Sequence, residues 1–184
     1  MRFVIQRVIS ANVKVEGEVV GSIEKGILVL FGINKEDKKE NIDFAVNKLL
    51  SIRLWPDKQG RNWATGVKEN DFGILLVSQF TLYSFLKGNK PDFHLAMNPT
   101  EAVEYYNLFL DKLKSKHKKV SAGKFGALME VSLVNDGPVT VNWDYPEDIS
   151  NDSKLMSKST KMSELKDLSK DISDLKIEGK NLDS

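Results

Sequence analysis

The sequence predicts a mixed α/β domain in which layered, curled β-sheets carry two main helices packed on one side. Two continuous apolar runs, 26–33 and 73–82, fit strands that are buried on both faces. Two other segments, 42–50 and 103–113, place apolar residues at helical spacing. One curled sheet or two stacked sheets with the helices on one side would bury all of these apolar faces.

The first half of the chain supplies most of the strands. Residues 2–9 are apolar and β-branched and fit a central strand, and 12–23 fit a hairpin that turns at 16–18. Asp37 is a candidate helix cap, and Glu40 three residues later completes a variant capping box. Residues 53–55 are predicted to form a short strand before a turn.

The second half begins with the apolar strand at 73–82 and a long loop at 83–97. Asn98 and Pro99 then have the residue types of a helix cap and a first helical position. The helix ends in a run of lysines at 112–119, which is favourable at the negative end of a helix dipole. The last segment, 131–143, alternates in polarity on either side of Asn135-Asp136-Gly137-Pro138, which predicts two strands joined by a turn.

Composition limits the classes of protein to which the chain can belong. The chain has 184 residues, of which 41% are hydrophobic and 29% charged, and this suits one globular domain with a real core. A formal net charge of +1 gives no global attraction to nucleic acid or membrane, although it leaves room for a local basic patch. The absence of cysteine excludes disulfides, thiolate metal sites and a cysteine nucleophile.

Residues 147–184 differ from the rest, because they are rich in Ser, Lys, Asp and Glu and contain no aromatic residue. We therefore predict a folded domain at 1–146 and a polar, disordered or transiently helical tail at 147–184. A helix that docks on a partner or on the core is the alternative, since leucines and an isoleucine between 165 and 175 fall at faint helical spacing. No apolar run approaches the ~20 residues of a membrane span, so we expect a cytoplasmic protein with no membrane partner.

Ser78-Gln79-Phe80-Thr81, at the end of a buried strand, is the strongest local candidate for chemistry. Ligands commonly bind at such strand ends in α/β proteins. Ser78 and Thr81 offer hydroxyls, and amide hydrogens of the exiting loop could stabilise an oxyanion. The plainer alternative is a polar strand exit whose hydroxyls are satisfied within the fold.

Histidine and metal chemistry have little support. His117 lies in the basic helix end, where we expect it to be solvated. His94 is close to Asp92 in the loop and could act as a base, but a surface position is the plainer interpretation. Two histidines and no cysteine do not suit zinc, and no phosphate-binding glycine motif is present, so no metal and no cofactor is predicted.

Two loops have further potential. The segment 87–93 combines lysines with Phe93, which can hold a phosphate or stack on a base, or can simply be a solvated loop. Gly137 lacks a side chain and Pro138 lacks an N–H, so this step is either a plain turn or a rigid piece of backbone that approaches a ligand. The residues alone do not choose between these alternatives.

Taken together, several segments resemble the D-aminoacyl-tRNA deacylases. IQRV at 5–8 is similar to the start of that family, SQFTL at 78–82 to its first signature motif, and NDGPVT at 135–140 to its second, the Gly-cisPro motif. The segments 88–93 and 123–133 are also similar. The resemblance covers residues 1–145, and the two motifs together are specific, whereas either alone would be weak.

The resemblance implies a homodimer that hydrolyses the ester of D-aminoacyl-tRNA, and of glycyl-tRNA mischarged on tRNA(Ala), while sparing L-aminoacyl-tRNA. It implies active sites at the dimer interface, no obligatory metal, and aminoacylated tRNA as the partner. The Gly137-Pro138 bond would be cis and would enter the partner's pocket, where its carbonyl oxygens fix the substrate's amino group. An L side chain would then meet backbone, which is chiral proofreading by steric rejection.

The resemblance also assigns roles within the two motifs. Ser78 and Gln79 would bind substrate, and Arg7 and Asn135 would support the Gly-Pro motif. Thr81 matches a proposed nucleophile, but a threonine without an adjacent base is a poor one. We therefore expect the Phe80 amide to support the oxyanion and the 2′-hydroxyl of the substrate to help activate water.

Lys87 and Lys90 are the predicted tRNA contacts, together with the basic helix end. Lys90 and Asp92 stand where many members of the family carry Arg and Ser, and lysine loses the bidentate geometry of arginine. Two competing hypotheses remain: a nucleic-acid-binding module on the same fold without turnover, and a different esterase that uses Ser78 or Thr81 with His94. The fold alone does not decide among them.

Overall fold

The structure, a computed structural model, describes residues 1–146 as a set of strands and two helices. The elements in chain order are β1 (Arg2–Val15), β2 (Glu18–Ile23), β3 (Gly26–Gly32), α1 (Ile42–Ser51), β4 (Gly73–Ser78), β5 (Phe85–Lys87), β6 (Lys90–Asp92), α2 (Pro99–Lys116), β7 (Val120–Ala122) and β8 (Glu130–Asp144). Short 3-10 turns at Lys39–Asn41 and Phe80–Tyr83 precede α1 and follow β4. The predicted mixed α/β class is confirmed.

One curled sheet holds six of the strands. Its order is β2-β1-β3-β4-β7, and β8 pairs with β1 along the other edge of that strand. The β3–β4 and β4–β7 pairs are parallel and the remaining pairs are antiparallel. Ser121 on β7 donates a hydrogen bond of 2.7 Å to the carbonyl of Ser22 on β2, so the two ends of the path meet and the sheet is nearly closed.

Alternation along the strands gives the sheet two apolar faces. Ile27, Val29 and Phe31 of β3 belong to the larger core, which α1 and α2 cover, whereas Leu28 belongs to a smaller cluster on the other face. The ring of Phe3 stacks on that of Phe31 with centroids 4.9 Å apart. Both helices therefore pack on one side of the sheet, as the sequence predicted.

Two predicted strand arrangements are wrong in the same way. Residues 2–15 form one strand instead of two, because β1 pairs with β3 through its first half and with β2 through its second. Residues 130–144 also form one strand, and no hairpin turn occurs at 135–138. β1 holds both halves of β8 in one ladder, where Arg7 pairs with Val139 and Val8 with Asn135, and residues 136–138 bulge out between them.

Asp37 does not cap a helix, so that prediction is wrong as well. Its carboxylate accepts a hydrogen bond of 2.5 Å from the Met1 ammonium and one of 2.7 Å from the Asn34 N–H. The helix begins later, at Ile42, and Asn41 makes no side-chain cap bond. Burial raises the pKa of the Asp37 carboxyl, and the Met1 ammonium opposes that rise.

Of three other local predictions, one is confirmed and two are corrected. The α2 cap is confirmed, because the Asn98 side chain accepts from the Glu101 N–H and Pro99 is the first helical residue. The strand predicted at 53–55 is only a single bridge between Trp55 and Thr65. The loop predicted at 83–97 contains the β5–β6 hairpin.

His117 is not solvated, contrary to prediction. It is 8% exposed, and its Nε2 donates to the Phe72 carbonyl at 2.7 Å. That bond ties the end of α2 to the residue just before β4. The predicted tail at 147–184 lies outside the described residues. None of the helices described here is long and apolar enough to cross a membrane.

Candidate active site

The exit of β4 has the geometry of a candidate oxyanion site. Gln79 makes the last ladder bond, in which its N–H donates to the Phe31 carbonyl at 2.8 Å. Its backbone then turns to φ −147° and ψ 78°, and a 3-10 turn begins at Phe80, so the predicted strand at 73–82 ends at Ser78. The first N–H groups of a helical turn have no partner inside it. Within residues 1–146, no protein group accepts from the Phe80 N–H, which leaves it available to a ligand.

An apolar cavity of about 530 Å³ adjoins this turn. Ser78, Gln79 and Phe80 form one part of its lining. The remaining lining is mostly apolar and includes Phe31, Ile33, Phe93, Met97 and Phe125. The rings of Phe80 and Phe93 meet edge to face at 5.1 Å, and Phe80 is 58% exposed. The cavity volume is within the range of small-ligand pockets, and its aromatic walls suit a flat ring.

Thr81 lies next to this lining and is not part of it. It is half-buried, and its hydroxyl accepts a hydrogen bond of 2.5 Å from Gln79 Nε2. No histidine or carboxylate in the described chain contacts the hydroxyl of Thr81 or of Ser78. A nucleophilic mechanism needs such a base, so the geometry does not assemble one around Thr81.

His94 is engaged elsewhere. Its ring Nδ1 contacts the Asp92 carboxylate, and the ring stacks on Phe85 with centroids 5.8 Å apart. The backbone N–H and the ring of His94 lower the pKa of the Asp92 carboxyl. This pair is a local feature of the exposed loop, and His94 does not meet either hydroxyl of the β4 exit.

The second motif is the bulge at 136–138. The Gly137-Pro138 peptide bond is cis, as the resemblance implied, and both residues are exposed. Gly137 has φ +117°, a left-handed value that favours glycine. A Cβ at this position would lie 3.1 Å from Arg7 Nη2, so the guanidinium packs directly against the glycine.

Arg7 joins the bulge to a second loop. Its Nη1 donates to the Leu54 carbonyl at 2.5 Å and its Nε to the Asp136 carbonyl at 3.2 Å. The Asp136 carboxylate lies 3.4 Å from the same Nε. Asn135 sits at the base of the bulge, in the ladder opposite Val8. The contacts of Arg7 suit its predicted supporting role, whereas the role predicted for Asn135 stays a prediction.

The structure does not bring the two motifs together within one chain. Ser78 pairs with Phe31, and Phe31 with Phe3, whereas the bulge lies beside Arg7, further along β1 and on its other edge. At ~3.3 Å per residue and ~4.8 Å between strands, this register separates them by roughly 20 Å along the sheet. Within one chain the two motifs therefore line separate cavities.

The predicted tRNA contacts differ in how available they are. Lys87 and Lys90 pair across the β5–β6 hairpin, and both are exposed. In the basic helix end, Lys112 is bound to Asp43 and Lys119 to Asp71, so those charges are partly used by the fold. Among residues 1–146, no group of three or more His, Asp or Glu side chains could hold a metal ion.

Sequence reasoning missed the cavity wall made by Phe31, Met97 and Phe125. The available signal was modest: Phe125 lies in the segment 123–133, which shares the family resemblance. Nothing local to these residues shows that they meet, because they come from β3, from the segment before the α2 cap and from the loop after β7.

Comparisons with known proteins agree on one relationship. A family described as D-Tyr-tRNA(Tyr) deacylase matches residues 4–144. The chain is 46% identical over 150 residues to "D-aminoacyl-tRNA deacylase" of Dictyostelium discoideum, a match that covers 80% of this chain and 99% of the relative. It is 43% identical over 171 residues to "D-aminoacyl-tRNA deacylase 1" of Homo sapiens, covering 91% and 82%.

Two solved structures are also similar. "c-Myc DNA Unwinding Element Binding Protein" matches with a TM-score of 0.76 and 45% identity, covering 80% of this chain and 100% of that chain. "Structural Analysis of a probable eukaryotic D-amino acid tRNA deacylase" matches with a TM-score of 0.67 and 17% identity, covering 78% and 98%. At that identity the second match supports the fold alone.

Proposed function

Because the chain belongs to the D-aminoacyl-tRNA deacylase family, whose members hydrolyse carboxylic esters, we propose that it cleaves the ester between a D-amino acid and the terminal adenosine of tRNA. The observation that carries the proposal is the Phe80 N–H, which has no acceptor among residues 1–146, beside an aromatic cavity of about 530 Å³. The cavity suits the adenine ring, and the N–H suits the charge that develops on the ester oxygen. The proposed place of action is the cytoplasm.

The chemistry needs little from side chains. A water oxygen attacks the ester carbon, and the resulting oxyanion accepts a hydrogen bond from the Phe80 N–H. When the intermediate collapses, the bond to the ribose 3′ oxygen breaks and that oxygen takes up the proton that the water has lost. The neighbouring 2′-hydroxyl of the ribose helps to activate the water. Ser78 and Gln79 line the cavity on the side of this turn and orient the substrate.

A second copy of the chain supplies the chiral filter. The exposed bulge with Gly137 and Pro138 enters the other copy's site, where two backbone carbonyl oxygens hold the amino group of the substrate. The distance of roughly 20 Å between the motifs within one chain supports this arrangement. An L side chain would meet main chain and be rejected, whereas glycine has no side chain to exclude, so glycyl-tRNA mischarged on tRNA(Ala) is also a substrate.

A second candidate function is nucleic-acid binding without turnover. The name of one similar structure, "c-Myc DNA Unwinding Element Binding Protein", favours it. The exposed lysines at 87 and 90 would serve either function, because phosphate contacts carry no information about the reaction.

Hydrolysis of matched D- and L-aminoacyl-tRNA separates the candidates. Cleavage of the D ester alone supports the deacylase, and binding without cleavage of either supports the second candidate. Loss of activity in His94→Ala would instead indicate an esterase that uses this histidine. In the Lys87→Ala/Lys90→Ala double variant, we expect the Michaelis constant to rise and its dependence on salt to weaken, with kcat unchanged.

A further inference from the structure

Trp63 is a large aromatic residue that the fold does not bury. It is 59% exposed and has φ +57°, a left-handed value that is costly for a side chain of this size. A closed loop holds it there. The N–H groups of Thr65 and Ala64 both donate to the Trp55 carbonyl, at 3.0 and 2.9 Å, and the Asp57 carboxylate accepts from the Arg61 N–H at 2.9 Å. The fold therefore presents this indole to solvent on an ordered loop.

Cations outnumber carboxylates around Trp63. It lines an open cavity of about 860 Å³ together with Arg53, Lys58 and Arg61 and with the carboxylates Asp57 and Glu69. Arg61 is bound to Asp57 at 2.6 Å, whereas Arg53 and Lys58 have no carboxylate partner within residues 1–146. An exposed aromatic ring beside available cations suits a stacked base and its phosphates. In a symmetric contact between two copies at this loop, the same cations would face each other, which favours RNA over protein as the occupant.

Trp63 also lies next to the Gly-Pro bulge. A second cavity, of about 260 Å³, is lined by Trp63 together with Arg7, Gly137 and Pro138. Arg7 connects the two sides, because it binds the Leu54 carbonyl and the Asp136 carbonyl at once. The indole and the bulge therefore line one cavity, and Trp63 lies beside the bulge wherever the bulge is inserted.

We propose that Trp63, with Arg53 and Lys58, stacks on an unpaired nucleotide of the tRNA 3′ end that is bound in the partner subunit's site, beyond the terminal adenosine. This rests on the proposed function, because it requires the bulge to enter that site. Insertion of the bulge would bring Trp63, which lies beside it, to the rim of that site, where the single-stranded end leaves. Each tRNA is then held by both subunits, one through the cavity at the β4 exit and the other through this indole.

Kinetics with two substrates test the proposal. For Trp63→Ala, we expect the Michaelis constant for D-tyrosyl-tRNA to rise by about 5- to 150-fold with kcat unchanged, as expected for one lost stacking contact. Trp63→Phe should keep most of the affinity, because it retains a ring. Hydrolysis of D-tyrosyl-adenosine, which lacks the other nucleotides, should be the same in Trp63→Ala as in the wild type. Phe44→Ala, which removes a ring that is 50% exposed on α1 and stacks on Tyr145 outside both cavities, is the control and should resemble the wild type in its Michaelis constant.

The outcomes show separately whether the stacking contact fails and whether the proposed deacylase function fails. If the wild type cleaves neither substrate, the proposed function fails. If the wild type cleaves both but Trp63→Ala matches it on D-tyrosyl-tRNA, or loses activity equally on both substrates, the stacking contact is refuted. If light scattering shows that Trp63→Ala dissociates a dimer, then Trp63 is a subunit contact and the proposal is overturned.

Tryptophan fluorescence tests the proposed stacking contact independently of the kinetics. The chain has three tryptophans, of which Trp55 is buried, Trp143 is half-buried and Trp63 is exposed. Uncharged tRNA should therefore protect the emission from acrylamide quenching, and Trp63→Phe should remove that protection. Unchanged quenching at saturating tRNA would contradict the contact.

Discussion

Replacing Thr81 by alanine separates two mechanisms that give the same products. If Thr81 is the nucleophile, its hydroxyl oxygen forms an acyl-enzyme. If the nucleophile is water, Thr81 only helps to hold the turn at the β4 exit. The structure favours water, because the contact recorded for the Thr81 hydroxyl is the hydrogen bond from Gln79 Nε2, and no base in the described chain reaches it.

The size of the effect follows from that contact. Loss of one hydrogen bond costs about 0.5–1.5 kcal/mol, and if all of this cost raised the activation barrier, the rate would fall by roughly 2- to 12-fold at most. Loss of a true nucleophile costs far more, on the order of 10⁶-fold in kcat in the serine protease subtilisin. These ranges do not overlap, so a single substitution decides the question.

Single-turnover hydrolysis of D-tyrosyl-tRNA is the appropriate assay, because it reports the chemical step without product release. Thr81→Ala should stay within about 12-fold of the wild type, as one lost hydrogen bond allows. Thr81→Ser, which keeps the hydroxyl, is the control. Near-complete loss in Thr81→Ala with recovery in Thr81→Ser, while the fold is intact by circular dichroism, would refute the reasoning and make Thr81 the nucleophile.

Two further substitutions test the site and the fold. Phe80→Pro removes the proposed oxyanion donor and should lower kcat by about 10²–10³-fold. Phe80→Ala keeps the N–H and loses only the ring, so it should mainly raise the Michaelis constant. Equal kcat values in the two variants would contradict the assignment of this N–H as the oxyanion donor. Asp37→Asn leaves the buried Met1 ammonium without its counter-charge and should lower the free energy of unfolding by about 3–5 kcal/mol in urea titrations. Asp111→Asn, at an exposed position of α2, is the matched control, and an equal loss there would show that the Met1–Asp37 pair is not the cause.

Local signals in the sequence predicted local structure well. Asn98 and Pro99 predicted the start of α2, because cap and first-turn preferences depend on a few adjacent residues. The apolar run at 26–33 predicted β3, because burial on both faces is visible in composition alone. Ser78 and Gln79 were placed correctly at a strand exit and line the cavity there.

Failures occurred where a distant partner decides the conformation. Asp37 has the sequence of a cap, but Met1 and Asn34 use its carboxylate. Asn135 to Pro138 has the sequence of a turn, but β1 holds both flanks in one ladder and the segment becomes a bulge. Trp63 gave no signal at all, since its place beside Gly137 depends on Arg7 and on the loop after α1.

The register of β1 has a consequence for the whole assembly. The stretch from Phe3 to Arg7 fixes how far the site at the β4 exit lies from the bulge in β8, whatever the length of the intervening loops. In the proposed dimer each copy inserts its bulge into the other copy's site and accepts the other's bulge in its own. Both sites therefore depend on the same spacing between the β4 exit and the bulge. Because the two spacings are equal, both bulges and both sites are occupied within the dimer, and none is left to bind a third copy. Insertions in the 83–97 loop would leave that match intact, whereas one residue inserted between Phe3 and Arg7 would spoil both sites at once.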